Sequence, residues 1–180
     1  MPDRYGWPPY VSAAERRYRA LRSAEKLRRQ GRKLAPVVIQ GRAIATTFWG
    51  KAWCENLESY RDYENRLPRG RTYARNGSVV DLQIGPTEVL ALVSGSSLYR
   101  VRISIAGIGK SRWAAICRDC RGGIDSLVEL LRGHLSGSVM KRVCHQEAGL
   151  FPTPAEIRFS CTCPDYAAMC KHVAAALYGV

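Results

Sequence analysis

Three thiols and an imidazole fall within twelve positions near the end of the chain, at Cys161, Cys163, Cys170 and His172. The pattern is C-x-C, six residues, then C-x-H. Thiolate and imidazole are the usual partners of tetrahedral structural zinc, which takes four such ligands. In an extended segment residues i and i+2 point the same way, so Cys161 and Cys163 can converge on one ion. Pro164 ends that segment and Asp165 starts a turn that returns Cys170 and His172 to the metal. Residues i and i+2 diverge on a regular helix, which places Cys170 just before a helix and His172 in its first turn. The helix N-terminus then also favours the Cys170 thiolate. Four protein ligands leave no open position for substrate or water, so the expected zinc is structural rather than catalytic. The alternative, buried or disulfide-bonded cysteines that merely cluster, does not account for both pair spacings.

The C-x-C-x6-C-x-H run with a short apolar helix after it resembles the SWIM zinc finger. Three further stretches, Pro36 to Glu58, Asn65 to Tyr73 and Gly149 to Pro152, are similar to bacterial SWIM-finger proteins encoded beside Swi/Snf-type ATPases. The resemblance implies zinc as cofactor and a Swi/Snf-type ATPase as partner. Relatives of that type are expected to continue past the finger helix, whereas this chain ends at Val180.

The elements that must position the site follow from length and pattern. The 180 residues, 46% of them apolar, can bury one good core with a small appendage. No apolar run is long enough for a transmembrane helix, and the first residues lack a signal-peptide layout. Seven cysteines without an export signal then point to a reducing, cytoplasmic setting. The net charge of +13 is lopsided: residues 1–75 carry 17 Lys/Arg against 7 Asp/Glu. Such an excess is the footprint of a polyanion partner, most often nucleic acid, with a solvated, solubilising face as the alternative. A membrane surface fits less well, because apolar anchors opposite the charges are scarce.

Ser12 with Glu15 fits a capping box and Gly31 a helix stop. Between them Arg16, Arg17, Arg19, Arg22, Lys26, Arg28 and Arg29 flank a thin stripe of Ala14, Tyr18, Leu21 and Ala24. The expectation is a protruding basic helix that settles along phosphates or an acidic partner. Pro36–Gly41 and Ala43–Phe48 read as a strand pair, and Gly50–Tyr60 as an amphipathic helix with Trp49, Trp53, Leu57 and Tyr60 toward the core. Residues 61–75 read as a flexible phosphate-gripping arm carrying Arg61, Arg66, Arg69, Arg71 and Arg75, because Pro68 and Gly70 break a helix. Arg71, Tyr73 and Arg75 would share a strand face, with Asn76-Gly77 as a hairpin turn.

Ser78–Ile84, Glu88–Val93 and Leu98–Ile105 read as an antiparallel meander. Val80, Leu82 and Ile84 are expected inward, as are Tyr99, Val101, Ile103 and Ile105. Arg100 and Arg102, facing outward, join the arm's arginines as a basic patch or pair with Asp81. Three short helices follow: one with Trp113, Ile116, Cys117 and Cys120 on one face, one with Ile124, Leu127, Val128 and Leu131, and one with Val139 or Met140, Val143 and Cys144. Cys117 and Cys120 read first as core. They also allow half of a second metal site with His134, Cys144 or His145, or a redox pair.

The reading is an α+β chain: an antiparallel β-meander packed with short helices, a basic N-terminal helix and a C-terminal SWIM-type zinc finger. Its segments are 1–35, 36–148 and 149–180, the last with too few apolar residues for a core of its own and therefore folded by its metal. No catalytic constellation is visible. The expected function is nucleic-acid binding, DNA ahead of RNA, as an accessory to a Swi/Snf-type ATPase. The alternatives are a protein adaptor docking on that ATPase and a thiol oxidoreductase using Cys117 and Cys120.

Overall fold

The computed structural model describes residues 11–60, 65–123 and 135–180. The expected helix through Leu127, together with His134 and Arg61, lies outside them. The described residues form six α-helices and one four-stranded antiparallel sheet in the order β1-β2-β3-β4. The strands are β1 (Val79–Ile84), β2 (Glu88–Ser94), β3 (Leu98–Ile105) and β4 (Ile157–Cys161). The helices are α1 (Ala13–Arg29), α2 (Phe48–Glu58), α3 (Leu67–Arg75), α4 (Lys110–Asp119), α5 (Gly137–Val143) and α6 (Lys171–Gly179). None of the described helices is long and apolar enough to cross a membrane.

The meander forms as its alternation dictates. Along β3, Tyr99, Val101 and Ile103 are buried while Arg100, Arg102 and Ser104 are exposed. On β1 the inward set differs from expectation, because a bulge between Val79 and Asp81 inserts one residue and flips the alternation. Val79 faces the main core, Val80 faces the opposite side, and Ile84 at the strand end is 61% exposed.

The sheet's inner face is covered by α6, which lies far along the chain from the meander and is buried from His172 to Tyr178. Its small residues Ala174, Ala175 and Ala176 let α3 approach closely. A β-carbon on Gly70 would stand 2.3 Å from the Ala174 Cβ. This close crossing explains why residues 67–75 are a helix and not the expected arm and strand. Pro68 lies in the first turn, where no backbone donor is needed, and Gly70 serves the crossing. Asn76 caps α3 and Gly77, at φ +66°, closes a Schellman motif: Ser78 N–H reaches the Tyr73 carbonyl and Gly77 N–H that of Ala74. Asn76-Gly77 is therefore a helix stop and not a hairpin.

The opposite face of β1 and β2 is covered by α1. Ala20, Ala24 and Leu27 pack on Val80 and Leu92, while Tyr18 and Leu21 stay exposed. The helix thus docks on the sheet instead of protruding. The bulge presents Val80, and alanines allow close approach, so a narrow stripe suffices. Ser12 Oγ accepts from Glu15 N–H as expected, but the Glu15 carboxylate pairs with Arg19. Residues 36–48 form no strand pair. The segment runs beside β1 through two backbone bonds, Val37 N–H to the Val79 carbonyl and Leu82 N–H to the Ala35 carbonyl.

The Trp53 indole N–H donates to the Leu177 carbonyl at 2.7 Å and its ring tilts against Phe151, whereas Trp49 is 39% exposed. Residues 149–180 share the core of residues 36–148: β4 pairs with β3 throughout, and Met169 and Val173 are fully buried among Val93, Val101 and Ile103. A smaller cluster joins Ile116, Val143 and Cys144.

Candidate metal centre

Cys161 ends β4, opposite Val101 and thus on the sheet's inner face. The chain then turns through 162–169 and returns at Cys170, the N-cap of α6, with His172 in the first turn. The fold brings the four ligand atoms within 4.8 Å of one another. His172 Nδ1 lies 3.9 Å from the Cys161 sulfur and 3.8 Å from that of Cys170. Tetrahedral edges built from Zn–S of about 2.3 Å and Zn–N of about 2.0 Å come to roughly 3.5 Å for N···S and about 3.8 Å for S···S, so a contraction of at most about 1 Å completes the sphere. All seven cysteines are free thiols, and this is the one such cluster among the described residues.

The charges and hydrogen bonds of the ligand residues themselves favour one thiolate. The Cys161 thiol hydrogen-bonds to the Cys170 sulfur, which with His172 and the Val173 backbone N–H holds Cys170 down to about 3. Cys161 is pushed far up by that same bond and by burial, and Cys163 is raised chiefly by burial. A divalent cation supplies the charge that lets all three ionise.

The histidine ring is held from both sides. Tyr99 stacks on it at 4.3 Å between centroids, and Tyr73 meets it edge-on at 5.4 Å. Nδ1 is the ring nitrogen that faces the Cys161 and Cys170 sulfurs, while Nε2 is buried on the side of Gly95, where any side chain would come within 3.1 Å of it. The connecting loop is preorganised as well. Asp165 accepts from Ala167 N–H and pairs with Arg66 at 3.2 Å, Met169 anchors its end, and Tyr166 at its tip is fully exposed.

The basic residues named from sequence are dispersed into different roles. Arg66 is tied to Asp165, and Arg71 pairs with Glu58 while its guanidinium lies 5.4 Å from the Tyr178 ring centroid. Arg19 pairs with Glu15 and Arg29 with Glu25. Arg22 lies over the Tyr18 ring, and Arg17, Lys26, Arg28, Arg69 and Arg75 are exposed. Arg16 donates to the Val11 carbonyl, and its guanidinium lies 5.9 Å from the Tyr73 ring centroid. Lys171, between the metal ligands, reaches the same ring at 5.8 Å, and the exposed Arg69 lies one helical turn before Tyr73 on α3. Arg16 and Lys171 therefore both approach Tyr73, beside the zinc ligands, with Arg69 one turn away. Sequence pattern linked none of them, since they lie on three separate helices.

Cys117 is exposed and Cys120 half-buried, which corrects the core expectation for Cys117. The buried side of α4 runs through Ile116 and Cys120, leaving Trp113 and Cys117 outward.

Residues 160–178 match the SWIM zinc finger model. Over 139 residues, 76% of the chain, the sequence is 41% identical to a Mycobacterium tuberculosis protein described as "Uncharacterized protein Rv2102". The chain spans 50% of that relative, about half its length. No solved structure matches. Motif, backbone path and ligand geometry agree that Cys161, Cys163, Cys170 and His172 are the ligand set of a SWIM zinc finger, positioned to bind a zinc ion.

Proposed function

We propose that the chain is a zinc-stabilised, non-catalytic nucleic-acid-binding module of the cytoplasm, working as an accessory to a Swi/Snf-type ATPase. The observation that supports it is the approach of Arg16 and Lys171 to the Tyr73 ring beside the zinc centre, with the exposed Arg69 one turn away on α3. Lysine and arginine gathered from separate elements onto one surface are what phosphate binding requires. DNA ranks ahead of RNA on the Swi/Snf-type resemblance. The zinc finger acts as scaffold, since three thiolates on one zinc leave it with a net negative charge.

Tyr166 favours a second reading, an adaptor that docks on the ATPase. A fully exposed aromatic on a loop pinned by the ligands, Asp165 and Met169 has the character of a protein-binding hot spot. Fluorescence anisotropy of zinc-loaded protein with duplex DNA across a salt series separates the two. The nucleic-acid reading expects log affinity to fall linearly with log salt. In Arg69→Ala/Lys171→Ala the slope should shrink by about 0.9 for each phosphate no longer neutralised. Absence of binding at low salt refutes it and leaves the adaptor.

A further inference from the structure

We propose that the open half of the sheet's outer face is a groove for one nucleic-acid strand, gripped by its phosphates. The inference rests on the nucleic-acid reading above and uses a different set of residues. On this face α1 packs over β1 and β2, whereas the outward side chains of β3 and β4 remain exposed. Between the end of α1 and β4 lies a recess of about 380 Å³. Arg32, just past α1, enters it from one side, and Arg100 and Arg102 rise from its floor.

Charge selects an anion. Of the two carboxylates nearby among the described residues, Asp81 is buried and already accepts from the Ala35 backbone N–H and the Gln83 amide. Glu88 pairs with Arg102 across an exposed surface, an interaction weak enough for a phosphate to displace. Cross-strand pairing sets Ser160 beside Arg102, and Arg158 beside Ser104 one step further along the same face. The cationic line therefore extends beyond the recess.

Spacing selects a single strand. Arg100 and Arg102 are two residues apart on one strand, so their side chains leave the sheet about 6.6 Å apart, comparable to one nucleotide step of an extended backbone. Thr162 Oγ1 holds the Arg100 backbone N–H, which fixes the end of β3 beside the zinc-finger loop. Gln83, Ser160 and Thr162 add neutral hydrogen-bonding groups, and the half-exposed Leu90 provides an apolar floor for a sugar or base. Arg32 borders the recess on the α1 side, and its volume of about 380 Å³ suits a strand's backbone and is too small for a duplex cylinder. No aromatic is among the described residues that line it, so their grip is electrostatic and tolerant of sequence, unlike a stacking platform.

The test is anisotropy of the zinc-loaded chain with a fluorescein-labelled oligothymidylate of about 15 nucleotides, in the range of known single-strand sites. A duplex of equal length and poly-glutamate serve as comparison ligands. Arg100→Ala/Arg102→Ala is expected to weaken single-strand binding about ten-fold and to reduce its salt slope by about 1.4, two phosphates at about 0.7 each. Duplex binding should change less than about two-fold, with zinc content unchanged. Wild-type affinity for the single strand in the variant overturns the groove and leaves the nucleic-acid reading standing. Equal losses on duplex and single strand overturn it in favour of a general phosphate surface. Poly-glutamate bound as tightly, and released in the same variant, overturns it in favour of an acidic protein. Binding to neither nucleic acid by the wild type removes the functional reading and the groove together.

Discussion

Gly70→Ala tests the packing that supports the zinc centre, because two effects of opposite sign meet there. Position 70 lies inside α3, where alanine is favoured over glycine by about 1 kcal/mol. Against that gain, the new Cβ would lie 2.3 Å from the Ala174 Cβ, 2.8 Å from the Ala174 carbonyl carbon and 2.9 Å from the Ala175 nitrogen. Two of these atoms are backbone, so no rotamer change relieves the clash. The helices must separate by about 1 Å to restore ordinary van der Waals distances. That separation loosens a face buried from Val173 to Tyr178, at the overpacking cost of about 1–3 kcal/mol or more. Because two of the clashes are with backbone the cost lies at the upper end, and subtracting the alanine gain leaves a destabilisation of about 2 kcal/mol, out of a total in the usual range of about 5–15 kcal/mol. Because α6 opens with Cys170 and His172, zinc affinity should fall as well. Urea denaturation followed by circular dichroism, with chelator competition for zinc, measures both. Adding Ala174→Gly removes the closest approach and should restore part of the stability, a coupling read as a double-mutant cycle. A Gly70→Ala variant with a midpoint equal to or above the wild type, at unchanged m, refutes the reasoning.

Cys170→Ser, or zinc removal, should unfold the meander together with the finger, since a structural zinc supplies about 10–16 kcal/mol, comparable to the whole stability. Retained hydrogen-exchange protection of the β2 amides would show the two parts to be separable. Zinc binding near neutral pH should release two protons, from Cys161 and Cys163, because Cys170 is already ionised down to about 3 while the other two are raised. Zinc affinity therefore rises with pH through the neutral range, and calorimetry in buffers of different ionisation enthalpy counts the protons; three or none would contradict the assignment. Arg66→Ala removes a pair at 3.2 Å whose side chains are 28% and 24% exposed, and should lower thermal stability by about 1 kcal/mol. A variant with unchanged melting but strongly weakened nucleic-acid binding would instead make Arg66 a phosphate ligand.

The zinc ligands, the three meander strands and the Gly31 stop of α1 were legible in the sequence because each is a local pattern of a few residues. Residues 67–75 were not. Pro68 and Gly70 carry the marks of a loop, and only the close crossing with Ala174 shows that glycine is there for α6. The β1 bulge escaped for a similar reason, since which residue is doubled depends on its pairing with Leu92 and Val93. Docking of α1 escaped because its stripe is too narrow to signal burial until Val80 is turned to meet it.

The sequence by itself determined the metal and its four ligands, because the spacing of C-x-C and C-x-H brings donors together through short turns whose geometry neighbouring residues settle. Only the tertiary structure decided the surroundings of that metal. The stacking of Tyr99 and the edge-on contact of Tyr73 on His172, the sharing of one core by β4 and α6, and the approach of Arg16 and Lys171 to the Tyr73 ring all join residues distant along the chain. Such meetings depend on how whole elements bury their apolar faces against one another, and no local pattern encodes the partner.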